Sequence, residues 1–453
     1  MTVVYKQAAN HVETMIEAAL AAADPAGAVR RHLQKDGRSL LVGPYRYDLD
    51  RGRLFLLSVG KAALAMGRAA LQELEGDIAA GIIIGKPSPG MPARRYTSTV
   101  GDGRAQVTIY EAGHPVSDEN SLLATKSVID LIQETAPGDL LLCLISGGSS
   151  ALLTQPVISL NQWQDLTQAL LESGCTINEL NCVRKQLDQV KGGGLAELAA
   201  PAATISLILS DVVGNPLDVV GSGPTAPDPD SPAEALSVLH RYNIARHVTP
   251  ETWALITERL TNHRQATSLA RFSRLEVRNV IVGDVRRAAE AARTTASDLG
   301  FQAQMLTAHL EGEAREVGRV AAALAKDAPP GACLILGGET TVTVCGDGLG
   351  GRNQELALSA ALRLLGATDR VVCTFATDGE DGPTDAAGAL VSAEVPALAR
   401  REGLDMLDFL DRNDSHGFFR RLAQETERDF LLRPGPTGTN VNDLLFILSY
   451  PPS

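Results

Sequence analysis

The chain has 453 residues, more than one hydrophobic core usually covers, so two or three domains are expected. A net charge of −13 and only 4% aromatic residues argue against nucleic acid or an anionic membrane as the main partner. The six cysteines are scattered without a CxxC pair, which excludes a disulfide framework or a zinc site and leaves structural thiols.

Residues 11–23 read as an amphipathic helix with Glu13 and Glu17, and not as a signal peptide. No apolar run approaches the roughly 20 residues of a membrane span. A soluble protein of the cytoplasm is therefore the expected setting.

Short apolar runs then recur at 54–59, 81–84, 140–145, 204–209, 277–282, 333–336, 371–375 and 444–448. Each is bounded by glycine or polar turns, and helical patterns intervene. That alternation predicts βαβ units with mainly parallel sheets, whose ligands sit on the loops outside the strand ends. The Pro-rich stretch GSGPTAPDPDSP (221–232) can be neither helix nor strand. Helical patterns follow at 233–242 and 249–260. The expected division is residues 1–240 as a Rossmann-like N-terminal domain, 241–275 as a helical linker and 276–453 as a C-terminal α/β domain.

The unusual residues fall on loops. Ser58-Val59-Gly60-Lys61-Ala62 ends one strand and opens a helix, so backbone N–H groups and the Lys61 charge could meet an anion there. Ser146-Gly147-Gly148-Ser149-Ser150 combines close backbone approach with three hydroxyls, suiting phosphate oxygens. Its bland alternative is a tight turn with a serine cap. Lys191-Gly192-Gly193-Gly194 places three glycines inside a helical pattern, at a cost of about 1 kcal/mol each against alanine. They fit either a ligand-hugging turn or a plain helix end.

In the second half, Glu339 lies in a Gly-Gly-Glu-Thr-Thr turn, and Arg352 offers a planar fork to carboxylate or phosphate. Asp378 opens a loop with four acids in eight residues, a candidate Mg²⁺ site shared with Glu339 and Asp211. His114 and His416 read as turn histidines without a triad. GxxxxGK[ST] is absent, and Gly85-Lys86 fails it because Pro87 follows. No GxGxxG follows the first strand, which counts against a dinucleotide site.

Taken together, these pieces resemble the class II glycerate kinases, whose C-terminal part is the MOFRL domain. The pieces are SVGKAALAMG (58–67), GHPVSDENS (113–121), LISGGSSALL (144–153), NCVRKQLDQVKGGGLA (181–196) and LSDVVGNPLDVVGSGPTAPD (209–228). They continue through GGETTVTV (337–344), GLGGRNQELAL (348–358), ATDGEDGPTDAAGA (376–389) and GPTGTNVNDL (435–444). The resemblance implies ATP-dependent phosphorylation of D-glycerate at the 2-hydroxyl, a divalent metal, and two α/β domains with the active site in the cleft. The family's lysine and arginine fall on Lys61 and Arg352. ATP and Mg²⁺ are thus the expected cofactors, and a homodimer is left open. Ser149 stands where the family's turn usually has a third glycine, and Cys345, Asp347 and Leu349 replace frequent basic residues. Two rivals remain, a hydroxypyruvate reductase and a non-catalytic sensor of hydroxy acids or sugar phosphates.

Overall fold

A computed structural model of the chain describes residues 3–87, 95–100, 105–262 and 269–451. Three sheets account for its strands. The first is a small antiparallel sheet of β1 (Leu33–Asp36), β2 (Ser39–Val42) and β3 (Tyr45–Asp48). The second comprises β4 (Leu54–Val59), β5 (Ile78–Gly85), β6 (Arg95–Val100), β7 (Ala105–Glu111), β8 (Leu140–Ser146), β9 (Ala203–Leu209) and β10 (Val277–Gly283). The third comprises β11 (Gln302–Leu310), β12 (Ala332–Gly338), β13 (Arg370–Ala376), β14 (Gly388–Ser392), β15 (Leu431–Leu432) and β16 (Asp443–Ser449).

The order of the second sheet is β10-β9-β8-β4-β5-β7-β6. Here β4 runs parallel to both β5 and β8, β8 to β9, and β5 to β7, while β6 is antiparallel to β7. Every residue of β4 and β8 is buried, as expected of strands covered on both faces. From β4 the chain moves first to β5 on one side and later to β8 on the other. The strand order therefore reverses between β4 and β8, and in such sheets ligands bind outside the carboxyl ends at that reversal.

The third sheet is ordered β11-β12-β16-β13-β14-β15. β16 is antiparallel to both neighbours, so its first residue, Asp443, lies level with Gly338 of β12 and Ala376 of β13. The ends of three strands thus meet at one edge.

All eight apolar runs form strands. The division differs from expectation. One unit holds 25–210 and 215–282; the other holds 1–24, 211–214 and 283–453. β10, expected to open the second domain, joins the edge of the first unit's sheet beside β9. The 241–275 segment contributes to the first unit instead of linking two domains: Ile244, Ile256 and Leu260 pack with Trp163, Leu166 and Leu180.

The N-terminal helix, Val3–Ala22, belongs with the C-terminal half. Tyr5 donates to the Leu390 carbonyl at 3.1 Å, and His11 meets the Tyr450 hydroxyl at 3.0 Å. Cys143, Cys182, Cys333 and Cys373 are buried free thiols, and Cys345 is exposed. Among the described residues no helix is long and apolar enough to cross a membrane.

Candidate active site

In the first unit, the turns after β4 and β8 are stitched together where the strand order reverses. The Lys61 N–H donates to the Gly147 carbonyl at 2.8 Å, and the Ala62 N–H donates to Ser146 Oγ at 3.1 Å. Gly60 is obligatory here. At φ +125° a Cβ would stand 2.2 Å from Ser146 Oγ. The helix begins at Ala63, so Lys61 lies in the turn just before it, with its side chain exposed.

His114, which the sequence reading left as a turn residue, belongs to this cluster. A Cβ on Gly148, at φ +82°, would lie 2.9 Å from His114 Cδ2, 3.0 Å from its Nε2 and 3.2 Å from Lys61 Cγ. The segment after β7 is pinned there by the Ser117 hydroxyl, which donates to the Ala151 carbonyl at 2.8 Å. Burial and the charges of Lys61 and Lys86 push the His114 imidazole down to about 4, so it is neutral at physiological pH. The available signal was GHPVS itself; the position of β7 beside β5 was not visible.

The other expected contacts in this unit turn inward. Lys191 is buried and donates to the Ser150 and Leu153 carbonyls at 2.7 and 2.8 Å, with Asp188 3.6 Å away. Burial lowers it to about 8. It braces the serine turn from behind. Gly192 and Gly193 give their N–H groups to the Ser222 and Gly223 carbonyls, and side chains there would strike Asp228, Phe272 and the Ala226 carbonyl. These glycines therefore clamp the 221–228 loop. Ser222 Oγ donates to Asn181, which leaves the Ser150 hydroxyl to donate to Ser222 at 2.7 Å. Ser149 is buried against Gly221, where a Cβ would lie 2.2 Å from its Oγ, and that oxygen has no hydrogen bond among the described residues. Glycine at 221 makes room for the serine at 149.

In the second unit, Arg352 is the first residue of the helix Arg352–Arg363. Its guanidinium grips Asp443 bidentately, at 2.5 and 3.0 Å, and reaches Glu339 at 2.6 Å. The helix start is held by Asp381, whose buried carboxylate accepts the N–H groups of Asn353 and Gln354 at 3.0 and 2.9 Å. Gly351 permits this approach, since a Cβ would sit 2.3 Å from Asp381 Cγ. Burial pushes Asp443 up to about 7 against the pull of Arg352. Burial also opposes the charge on Arg352, but the Asp443 bond and the nearby carboxylates outweigh it and hold the guanidinium above its ordinary value. Arginine keeps its proton, so both bonds to the Asp443 carboxyl are charge-assisted.

The acidic loop is divided in use. Asp381 points inward, Asp385 pairs with Arg433 at 3.1 Å, and Asp378 Oδ1 accepts the Glu380 N–H at 3.2 Å. Asp211 lies in the 211–214 segment following β9. Among the described residues no three His, Cys, Asp or Glu side chains form a set able to hold a metal ion, so Asp211, Glu339 and Asp378 are not gathered into one cage. His416 is not a turn residue. It is buried in the helix Ser415–Thr426 and contacts Gln354 Oε1 at 2.8 Å.

A cavity of about 580 Å³ opens at the opposite edge of the first unit's sheet, lined by Arg38, Arg46, Arg51, Arg53, Asp48, Asp139 and Glu276. Arg38 and Arg53 are already paired with Asp50, Asp77 and Asp139. Arg46 and Arg51 remain against Asp48 and Glu276, a charge balance that selects no ligand. The carboxyl-end turns are the better candidate site.

The MOFRL family matches residues 332–443, and a domain of unknown function, DUF4147, matches 11–257. A D-glycerate 2-kinase of Thermotoga maritima is 41% identical, with 88% of this chain and 91% of the relative covered. The chain belongs to the glycerate 2-kinase family. A crystal structure of the Thermotoga maritima glycerate kinase superposes with a TM-score of 0.82 at 37% identity, covering 98% of this chain and all of that one. A putative hydroxypyruvate reductase of Agrobacterium vitis is 37% identical over 96% of this chain and 93% of its own length.

Proposed function

We propose that the protein transfers the γ-phosphoryl group of ATP to D-glycerate, giving 2-phospho-D-glycerate and ADP. The observation that carries this reading is the junction of the Lys61 turn with the Ser146–Ser150 turn at the strand-order reversal, in a chain of this family. Phosphoryl transfer asks little covalent help of a protein. It needs the reactants in line and their negative charge neutralised.

Lys61 supplies a point charge beside backbone groups of a glycine turn. Arg352 supplies a planar fork whose carboxylate partners fix its direction. The hydroxyl oxygen attacks the γ-phosphorus, the bond to the β–γ bridging oxygen breaks, and the hydroxyl proton leaves to solvent or a nearby base. Mg²⁺ fits as an ion carried by the nucleotide, since it keeps several waters and takes one or two protein carboxylates. Glu339 and Asp378 are the residues proposed to hold it. Each uses one oxygen internally, to Arg352 and to the Glu380 N–H, and leaves the other outside any hydrogen bond among the described residues. When bound, the ion would neutralise phosphate charge.

Purified protein with D-glycerate, ATP and Mg²⁺ should feed enolase directly, raising phosphoenolpyruvate without added phosphoglycerate mutase. Signal only with the mutase would mean the 3-isomer and overturn the 2-hydroxyl assignment. NADH consumption with hydroxypyruvate would overturn the kinase reading itself.

A further inference from the structure

The imidazole of His114 stands beside Lys61, yet the proposed reaction gives it no task. It comes from a different strand end than Lys61, and both side chains border the same small space over Gly148. Neither ring nitrogen has a hydrogen-bond partner among the described residues, although the residue is largely shielded from solvent. Its main-chain neighbourhood is fixed from two sides. Ser117 is tied to Ala151, and Gln164 Nε2 donates to the Ser117 carbonyl at 2.8 Å. A half-buried polar ring whose nitrogens meet no described protein group, beside a lysine, is placed to meet a ligand.

The chemistry of that partner follows from protonation. Burial first, and then Lys61 and Lys86, disfavour an imidazolium, so the ring presents one N–H donor and one bare nitrogen acceptor. Phosphoryl and carboxylate oxygens are acceptors and cannot satisfy the bare nitrogen; a hydroxyl can. Lys61, whose Cγ borders the same space and whose ammonium rides on a flexible stem, suits the carboxylate of the same molecule. An ammonium and a neutral acceptor side by side match a carboxylate with a hydroxyl on the adjacent carbon.

We propose that His114 is a specificity-determining residue that accepts a hydrogen bond from the 2-hydroxyl of D-glycerate while Lys61 faces the carboxylate. The assignment rests on the site reading above. It explains why the turn needs a histidine kept neutral: a protonated ring would bind either anion indiscriminately and lose the acceptor that recognises an alcohol.

The test compares wild type with His114→Ala and His114→Asn, measuring KM for D-glycerate and ATP and inhibition by two acids. D-lactate keeps the 2-hydroxyl; 3-hydroxypropanoate lacks it. Loss of one hydrogen bond corresponds to about tenfold in affinity. His114→Ala should weaken D-glycerate and D-lactate by about that factor and leave ATP and 3-hydroxypropanoate within about twofold. His114→Asn, whose side-chain oxygen is an acceptor, should recover part of the loss. Equal weakening of both acids, or of ATP alongside them, would reduce His114 to a structural role and overturn the proposal. Lys61→Ala is the separate control. Near-normal turnover in that variant would remove the underlying site reading, whereas an inactive Lys61→Ala beside a non-discriminating His114→Ala would remove this inference alone.

Discussion

Lys61 and Arg352 are kept in opposite ways. Lys61 is exposed, and no carboxylate pairs with it among the described residues. Arg352 is locked between Asp443 and Glu339, with its helix start tied to Asp381. A lysine carries a compact charge on a flexible stem and can follow a ligand; an arginine fork is useful only when its plane is fixed. One unit therefore offers loose charge over a rigid backbone turn, and the other offers rigid charge surrounded by acids. Two carboxylates already face the guanidinium before any ligand arrives, so it orients more than it attracts.

The contrast breaks most sharply at Arg352. Arg352→Ala leaves Asp443 buried without its partner, so stability should fall by about 3–5 kcal/mol. Turnover should fall by about 10³-fold or more, as for other arginines at a transferring phosphoryl group. Denaturant titration and the coupled assay read the two effects. Lys61→Ala should cost comparable activity, about 10²–10³-fold, but change stability by less than about 0.5 kcal/mol, because the side chain is exposed. If both variants lose stability equally, the difference between a free and a clamped cation is wrong.

A smaller effect sharpens the first half of the comparison. The folded-state pKa of His114 is depressed, so above the unfolded value of 6.5 the residue contributes nothing to pH dependence. As pH falls from 6.5 toward 4, the unfolded chain takes up a proton that the folded protein refuses, and stability drops. Melting temperature should therefore decline more steeply between pH 6.5 and 5 in wild type than in His114→Asn. Parallel curves would show that the imidazole is not held neutral.

Much of this arrangement was legible in the sequence, and the remainder has identifiable causes. Continuous apolar runs such as 140–145 announce strands buried on both faces, and glycine turns after them announce ligand loops. Burial direction was not legible. Lys191 looks like Lys61 in sequence, both beside glycine, but one ammonium is taken up by carbonyls of a loop 38 to 41 residues away. The Arg352–Asp443 pair spans 91 residues and exists because β16 inserts between β12 and β13. The division into units was misplaced for the same reason: sequence continuity does not reveal that β10 completes one sheet, or that residues 1–24 pack elsewhere.

That last feature governs the order in which the molecule can be made. The helix Val3–Ala22 is synthesised before the first unit, but its hydrogen-bond partners Leu390 and Tyr450 follow that unit in the chain. The first unit can complete itself while the nascent chain is still growing. The amphipathic helix ahead of it must wait, with its apolar face unsheltered, until translation of residues 283–453 is nearly finished. Slow elongation through that interval is then a hazard for this protein, and chaperone demand should concentrate on that helix.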